Sequence, residues 1–295
     1  MNAWHSGAAT DIGLLRDRNE DRYWVDAERG VFLVVDGVGG HAAGELAAET
    51  AVDAIRGSIF EEAGTVEKRV RRAITLANNR IFELAQSDDE LRGMACVLTL
   101  AVVEGRRIVI GHVGDSRLYL ISNGAIRKLT SDHSPVGEGE DAGKLTEQEA
   151  MAHPQRHEVF RDVGSSKRHA ADEDFIEIRQ CRFRADAAIL LCSDGLTDHL
   201  TSAEVRGIVE RYDGDPAAVA ARLVAAANEA GGKDNITALF VAGPQFRSRA
   251  GTTRPRFSAT RARIPERLFT GRMALLAYGV LLGMLVWVVL RARGG

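Results

Sequence analysis

Acidic residues recur in this sequence within short glycine-containing motifs, several of them directly after an apolar run. Three of these runs, at 31–35, 108–113 and 188–192, are typical of buried strands. A carboxylate at the end of a buried strand is costly unless something pairs with it. We therefore expect these segments to converge on divalent cations, and all-oxygen ligands indicate a hard metal such as Mg²⁺ or Mn²⁺. The acids are Glu20, Asp21, Asp36, Asp115, Asp194 and Asp234.

Each aspartate taken alone has a simpler interpretation. Asp-Gly is a common turn pair, and an aspartate after a strand often caps a helix. The presence of five such motifs in one chain favours metal binding over five unrelated turns.

The rest of the sequence, up to about residue 243, alternates short strands with amphipathic helices. Asn123-Gly124 is a hairpin signal, and residues 132–172 are polar and irregular, with one short helix capped at Thr146. This mixture predicts an α+β fold. The predicted strands are 31–35, 97–103, 107–113, 117–121, 174–181, 188–192 and 236–241, and the main helices are 44–56, 66–86, 201–211 and 216–230.

The net charge of −3 hides a strong asymmetry between the two ends of the chain. Residues 244–295 contain ten arginines and one acid, Glu266, for a net charge of +9, which leaves −12 on residues 1–243. An acidic body argues against nucleic acid as the main partner. The three cysteines show no paired or metal-type spacing, which fits a reducing compartment.

The C-terminal part divides into three segments. Residues 244–272 are an arginine-rich linker, residues 273–290 carry no charge, and residues 291–295 form a short tail. As a helix, the 18 uncharged residues would span about 27 Å, near the lower limit for crossing a bilayer. A buried core helix or a partner-binding helix is the alternative, but apolarity on all faces and flanking arginines favour a single membrane span. The positive-inside tendency then predicts that the body lies in the cytoplasm, at the inner membrane.

The motifs together resemble those of the metal-dependent type 2C Ser/Thr protein phosphatases in their bacterial form. The matching segments are 16–21, 34–45, 111–119, 191–198 and 231–237, in the family's order within residues 5–243. The resemblance implies a catalytic domain over residues 1–243, built from two stacked antiparallel sheets with helices outside both. It also implies hydrolysis of phosphoserine and phosphothreonine in proteins, and an opposing Ser/Thr kinase.

The same resemblance assigns roles to individual residues. Arg16 would bind the substrate phosphate, since its planar guanidinium matches phosphate oxygens. Arg117 would either orient the Asp115 carboxylate or pack on the sheet, and Asn235 would support Asp234. The metals implied are two core Mn²⁺ or Mg²⁺ ions and a more weakly held third. The implied ligands are Asp36 as the bridge, the Gly37 carbonyl, Asp194 and Asp234 for the first ion, Glu20 and Asp21 for the second, and Asp115 with Asp194 for the third.

The chain departs from the family pattern in its histidines. Many eukaryotic members carry a proposed general acid two residues after the bridging aspartate, where this chain has Val38. The nearest histidine is His41, which would either protonate the leaving oxygen or hold the loop.

Two other functions compete with a membrane-anchored protein phosphatase. One is a non-catalytic phosphoprotein-binding adaptor, which would be expected to have lost several acids. The other is a phosphatase for a small phosphorylated molecule, which would use the same residues. The proposed partners are phosphoproteins, the kinase, and membrane lipid bound through residues 273–290 and the basic linker.

Overall fold

Two five-stranded antiparallel sheets form the centre of the fold in a computed structural model of the chain. The structure describes residues 4–39, 42–61 and 64–247. The first sheet has the strand order β1-β10-β9-β6-β7, and the second has the order β2-β3-β4-β5-β8. The strands are β1 (His5–Asp11), β2 (Arg22–Asp26), β3 (Val31–Val38), β4 (Ala95–Glu104), β5 (Arg107–Val113), β6 (Arg117–Ser122), β7 (Ala125–Lys128), β8 (Glu177–Arg182), β9 (Ala188–Cys192) and β10 (Ile236–Ala242).

The helices lie outside the two sheets. Helices α1 and α2 pack on the second sheet, whereas α6 and α7 pack on the first. The predicted α+β class, with stacked antiparallel sheets between helices, is therefore confirmed. The helices are α1 (Ala42–Ser58), α2 (Val66–Ser87), α3 (Pro135–Asp141), α4 (Glu147–Met151), α5 (Asp194–Thr197), α6 (Ser202–Val209) and α7 (Pro216–Glu229), with a 3₁₀ turn at Asp89–Leu91.

Strand β3 shows why its sequence is apolar without alternation. Its odd-numbered residues, including Leu33, pack against the helices, and Phe32 and Val34 pack in the core between the two sheets. A strand that is covered on both faces has no solvent-exposed face, so polar residues are not expected at alternate positions. The continuous run 31–35 follows directly from this position.

Several elements differ from the sequence prediction. Strands β1 and β2, each at one edge of its sheet, were not predicted, because their residues are small, polar or only partly buried. The segment 132–172 contains two short helices, α3 and α4, rather than one. The Asn123-Gly124 hairpin is present, with positive φ at both residues.

Part of the C-terminal prediction, including the span 273–290 and the tail 291–295, lies outside the described residues, as does most of the linker. Within the ranges that the structure describes, no helix is long and apolar enough to cross a membrane.

Candidate metal centre

Acidic side chains from both sheets and from the N-terminal loop meet at one cavity of about 190 Å³. Asp36 lies within β3 rather than after it, because residues 36–38 continue to pair with β4. Asp194 begins α5 after β9, and Asp234 lies two residues before β10. The predicted site residues that line the cavity are Arg16, Glu20, Asp36, Gly37, Asp115, Asp194, Asp234 and Asn235.

Asp21 lies behind the cavity and is almost completely buried. Its Oδ2 accepts a hydrogen bond from the Ser193 hydroxyl at 2.7 Å, whereas its Oδ1 has no hydrogen-bond partner among the described residues. Burial raises the pKa of Asp21 to about 7, despite hydrogen bonds that lower it. A buried carboxylate oxygen without a partner is expected where a ligand completes the site.

Repulsion within the acid cluster also affects Asp36 and Asp115. Burial, followed by the charges of neighbouring aspartates, raises the pKa of both carboxyl groups well above the usual range. For Asp36 these neighbours include Asp21 and Asp194. The cluster therefore favours added positive charge, either as protons or as cations.

Despite burial, the pKa of Asp194 is lowered rather than raised, because a histidine faces its carboxyl group. His157 Nδ1 lies 3.5 Å from Asp194 Oδ2 and 3.6 Å from Asp198 Oδ2. Burial alone would raise the pKa of Asp194, but the hydrogen bond and charge of His157 lower it. His157 also lines the cavity, and it comes from the irregular segment 132–172.

Arg16 and Asn235 connect the N-terminal loop to this centre. Arg16 is about half exposed and donates a hydrogen bond to Asp234 Oδ2 at 2.6 Å. The Asn235 side chain accepts from the Glu20 backbone N–H at 2.8 Å and donates to the carbonyls of Ile12 and Arg18. Asn235 thus fixes the loop that carries both Arg16 and Glu20.

Two glycines allow the backbone to approach closely beside Glu20. A Cβ atom at Gly44 would overlap the Glu20 carboxylate, and a Cβ atom at Gly37 would overlap the Gly44 carbonyl. Only glycine leaves room for this contact between α1, β3 and the acid.

Arg117 is not among the residues that line the cavity of about 190 Å³. Its guanidinium binds Asp132 at 2.6 Å and Glu140 at 2.7 Å, and it is largely buried. It therefore fixes the start of the irregular segment 132–172, rather than orienting Asp115. A smaller cavity of about 30 Å³ is lined both by this ion-pair network and by Asp115 and Asp194.

Sequence reasoning missed His157 and Asp198. Asp198 follows Asp194 by four residues, which places both on one face of a helical turn, and this spacing could have been noticed. Arg156 Nε donates a hydrogen bond to Asp198 at 2.8 Å. The two residues are 42 positions apart in the sequence, so no local pattern predicts their contact. His41 lies outside the described residues.

A carboxylate-lined cavity with a half-exposed arginine in its lining fits a metal-dependent phosphoric ester hydrolase. Comparison with known proteins supports this class. The sequence profile of the family described as protein phosphatase 2C matches residues 15–236. The chain is 34% identical over 247 residues to the serine/threonine phosphatase stp of Listeria welshimeri, and the match covers 80% of this chain and 95% of that protein.

Solved structures give the same result. The Mycobacterium tuberculosis serine/threonine phosphatase PstP/Ppp has a TM-score of 0.72 and 30% identity, covering 81% of this chain and 98% of that chain. The PstP catalytic domain in complex with two manganese ions has a TM-score of 0.72 and 29% identity, covering 82% of this chain and 99% of that chain. The chain belongs to the protein phosphatase 2C family, and the expectation of a phosphatase is confirmed.

Proposed function

We propose that the chain hydrolyses phosphoserine and phosphothreonine esters in proteins and that it needs divalent cations to do so. The observation that carries the proposal is the convergence of six carboxylates on and behind one cavity, with Arg16 at its edge. Relatives over most of the chain are named serine/threonine phosphatases, which supports the same activity and substrate class.

The cations would be Mn²⁺ or Mg²⁺, two in the core and a third held more weakly. The donor set fits such ions, because it consists of oxygens, repels itself, and leaves Asp21 Oδ1 without a protein partner among the described residues. The manganese in the PstP structure supports the choice. The proposed ligands are Asp36, the Gly37 carbonyl, Asp194 and Asp234 for the first ion, Glu20 and Asp21 for the second, in part through water, and Asp115 with Asp194 for the third.

Bound cations would activate a water molecule for attack on phosphorus and would stabilise the attacking and leaving oxygens. Arg16 would orient the ester: one of its N–H groups is held by Asp234, and the remaining N–H groups of the planar fork can face the phosphate. Asn235 would keep that arginine in position through the loop. A role for His41 as proton donor stays a prediction.

The test is phosphate release from a phosphothreonine peptide by the purified full-length chain with Mn²⁺, with Mg²⁺ and with a chelator. Asp36→Asn and Asp194→Asn should abolish cation-dependent release while the fold survives. The exposed Asp213→Asn serves as the matched control and should retain full activity. Full activity in either purified site variant would refute the proposal.

Other outcomes distinguish the competing functions. Tight phosphopeptide binding without cation-dependent hydrolysis would indicate an adaptor. Faster hydrolysis of metabolite phosphates than of phosphopeptides would indicate a small-molecule phosphatase.

We also propose that residues 273–290 anchor the enzyme in the cytoplasmic membrane, with the catalytic domain in the cytoplasm, where it opposes a Ser/Thr kinase. The support is the sequence alone: 18 uncharged residues, with eight arginines before them from residue 244 and two after them. The full-length chain should remain with membranes after alkaline washing, and removal of residues 273–295 should release it. Recovery of the full-length chain in the wash would contradict the anchor.

A further inference from the structure

A second cavity adjoins the proposed catalytic cavity along the N-terminal loop. It has a volume of about 290 Å³ and shares three lining residues, Arg16, Glu20 and Asn235, with the catalytic cavity. The two cavities therefore meet at the arginine proposed to bind phosphate. The other residues that line the second cavity are Leu15, Asp17 and Arg18.

Leu15 is the apolar wall of this second cavity. It is 70% exposed, more than any other large hydrophobic residue in the part of the chain that the structure describes. An exposed leucine costs little by itself, but one that faces a concavity beside a reaction centre offers apolar area to a ligand.

Two of the polar residues that line the second cavity, Asn235 and Arg18, have partners of their own. The Asn235 amide donates to the Ile12 and Arg18 carbonyls and accepts from the Glu20 backbone N–H. Arg18 Nη1 lies 3.7 Å from Glu45 Oε2, and Glu45 is not among the residues that line the cavity. Leu15 is the apolar residue among the described residues that line this cavity, so its side chain gains most when a ligand excludes water.

The loop that presents Leu15 is held in place by hydrogen bonds. The Leu14 backbone N–H donates to the Gly232 carbonyl at 2.6 Å, and the Gly13 backbone N–H donates to Asp11 Oδ1 at 2.9 Å. The backbone that carries Leu15 is therefore already ordered, and binding of a ligand there would cost little conformational entropy of the loop.

We infer that the second cavity receives an apolar side chain of the phosphoprotein substrate, close in sequence to the phosphorylated residue. This inference rests on the proposed function, since the phosphate at Arg16 sets the register of the bound peptide. An extended peptide advances about 3.3 Å per residue, and consecutive Cα atoms lie about 3.8 Å apart. The apolar side chain therefore lies within about three residues of the phosphoresidue, and Leu15 is a specificity-determining residue.

The test measures peptide binding to the full-length chain with non-hydrolysable phosphonate analogues of a phosphothreonine peptide. Leucine is placed in turn at each of three positions on either side, in a background of alanine, and fluorescence anisotropy gives the Kd. At one position, leucine should tighten binding about five- to tenfold over alanine. Leu15→Ala should remove that preference.

Leu14→Ala is the matched control, because Leu14 is also an exposed leucine of the same loop but does not line the cavity. It should retain the preference for leucine. Equal Kd values for all peptides, or a preference for leucine that survives Leu15→Ala, would overturn the inference.

Hydrolysis of para-nitrophenyl phosphate separates this inference from the proposed function. The compound has no flanking residues, so both leucine variants should hydrolyse it at the rate of the unmodified chain. Absence of this activity in the unmodified chain would count against the proposed function. The binding data decide the role of Leu15 independently.

Discussion

Replacing Asp21 by asparagine should stabilise the cation-free protein at alkaline pH. The Asp21 carboxyl group is buried, and burial raises its pKa from the ordinary 3.8 to about 7. Between these two values the folded chain binds a proton at Asp21 that the unfolded chain does not bind. The free energy of unfolding therefore falls as the pH rises towards 7, and the loss is complete above that pH.

The size of the effect follows from the pKa difference. A rise from 3.8 to about 7 corresponds to about 4 kcal/mol in total, of which about 3 kcal/mol is lost between pH 5 and pH 8. Asparagine is nearly isosteric and stays neutral, and its side-chain oxygen can still accept the hydrogen bond from Ser193. We expect the variant to match the unmodified chain at pH 5 and to exceed it by about 3 kcal/mol at pH 8.

The assay is urea unfolding of chelator-treated full-length chain at pH 5, 6, 7 and 8, followed by tryptophan fluorescence. The control is Asp213→Asn, at an exposed position, which should keep the pH dependence of the unmodified chain. Mn²⁺ at pH 8 should stabilise the unmodified chain more than the Asp21→Asn variant. Equal pH dependence of the free energy of unfolding in Asp21→Asn and in the unmodified chain would show that ionisation of the buried Asp21 carboxyl group does not destabilise the fold.

Three further substitutions test individual contacts. Arg16→Lys should lower kcat/KM for a phosphopeptide by at least about tenfold, because a point charge replaces the planar fork; an unchanged value would remove Arg16 from phosphate binding. Gly44→Ala should displace the Glu20 carboxylate and weaken Mn²⁺ binding in a calorimetric titration, whereas Gly57→Ala on the same helix, where a Cβ atom meets open space, should stabilise the fold by up to about 1 kcal/mol. Equal Mn²⁺ affinity in the two glycine variants would contradict the close approach. Arg117→Met should destabilise the chain by roughly 3–5 kcal/mol in urea unfolding, because it removes the partner at 2.6 Å from Asp132 and at 2.7 Å from Glu140 and leaves Asp132 only the longer contact to Lys128, and a loss below about 1 kcal/mol would argue against that network.

The sequence predicts the parts of the fold whose side chains are sorted by burial. Strand β3 and helix α2 are examples: the strand is apolar throughout because both faces are covered, and the helix carries an apolar stripe at positions such as Val70 and Ile74. Strands β1 and β2, each at one edge of its sheet, carry no such signal, because pairing with a neighbour, rather than their own residues, makes them strands.

The candidate site divides in the same way. Asp36 and Asp194 could be predicted because short motifs mark them, although a local turn was an equally simple interpretation of each. The approach of His157 to Asp194, and of Arg117 to Asp132, depends on how the segment 132–172 folds back over the sheet ends. Such contacts join residues far apart in sequence, and no periodic pattern records them.

The most direct test of the account is to count the cations and measure their separation. The purified full-length chain is titrated with Mn²⁺ and followed by electron paramagnetic resonance, with Asp36→Asn as the comparison. We predict at least two tightly bound ions per chain, with a spin-coupled signal that shows two neighbouring ions, and loss of that coupled signal in Asp36→Asn. A single bound ion, or a coupled signal that survives in Asp36→Asn, would contradict the cation centre built around Asp36.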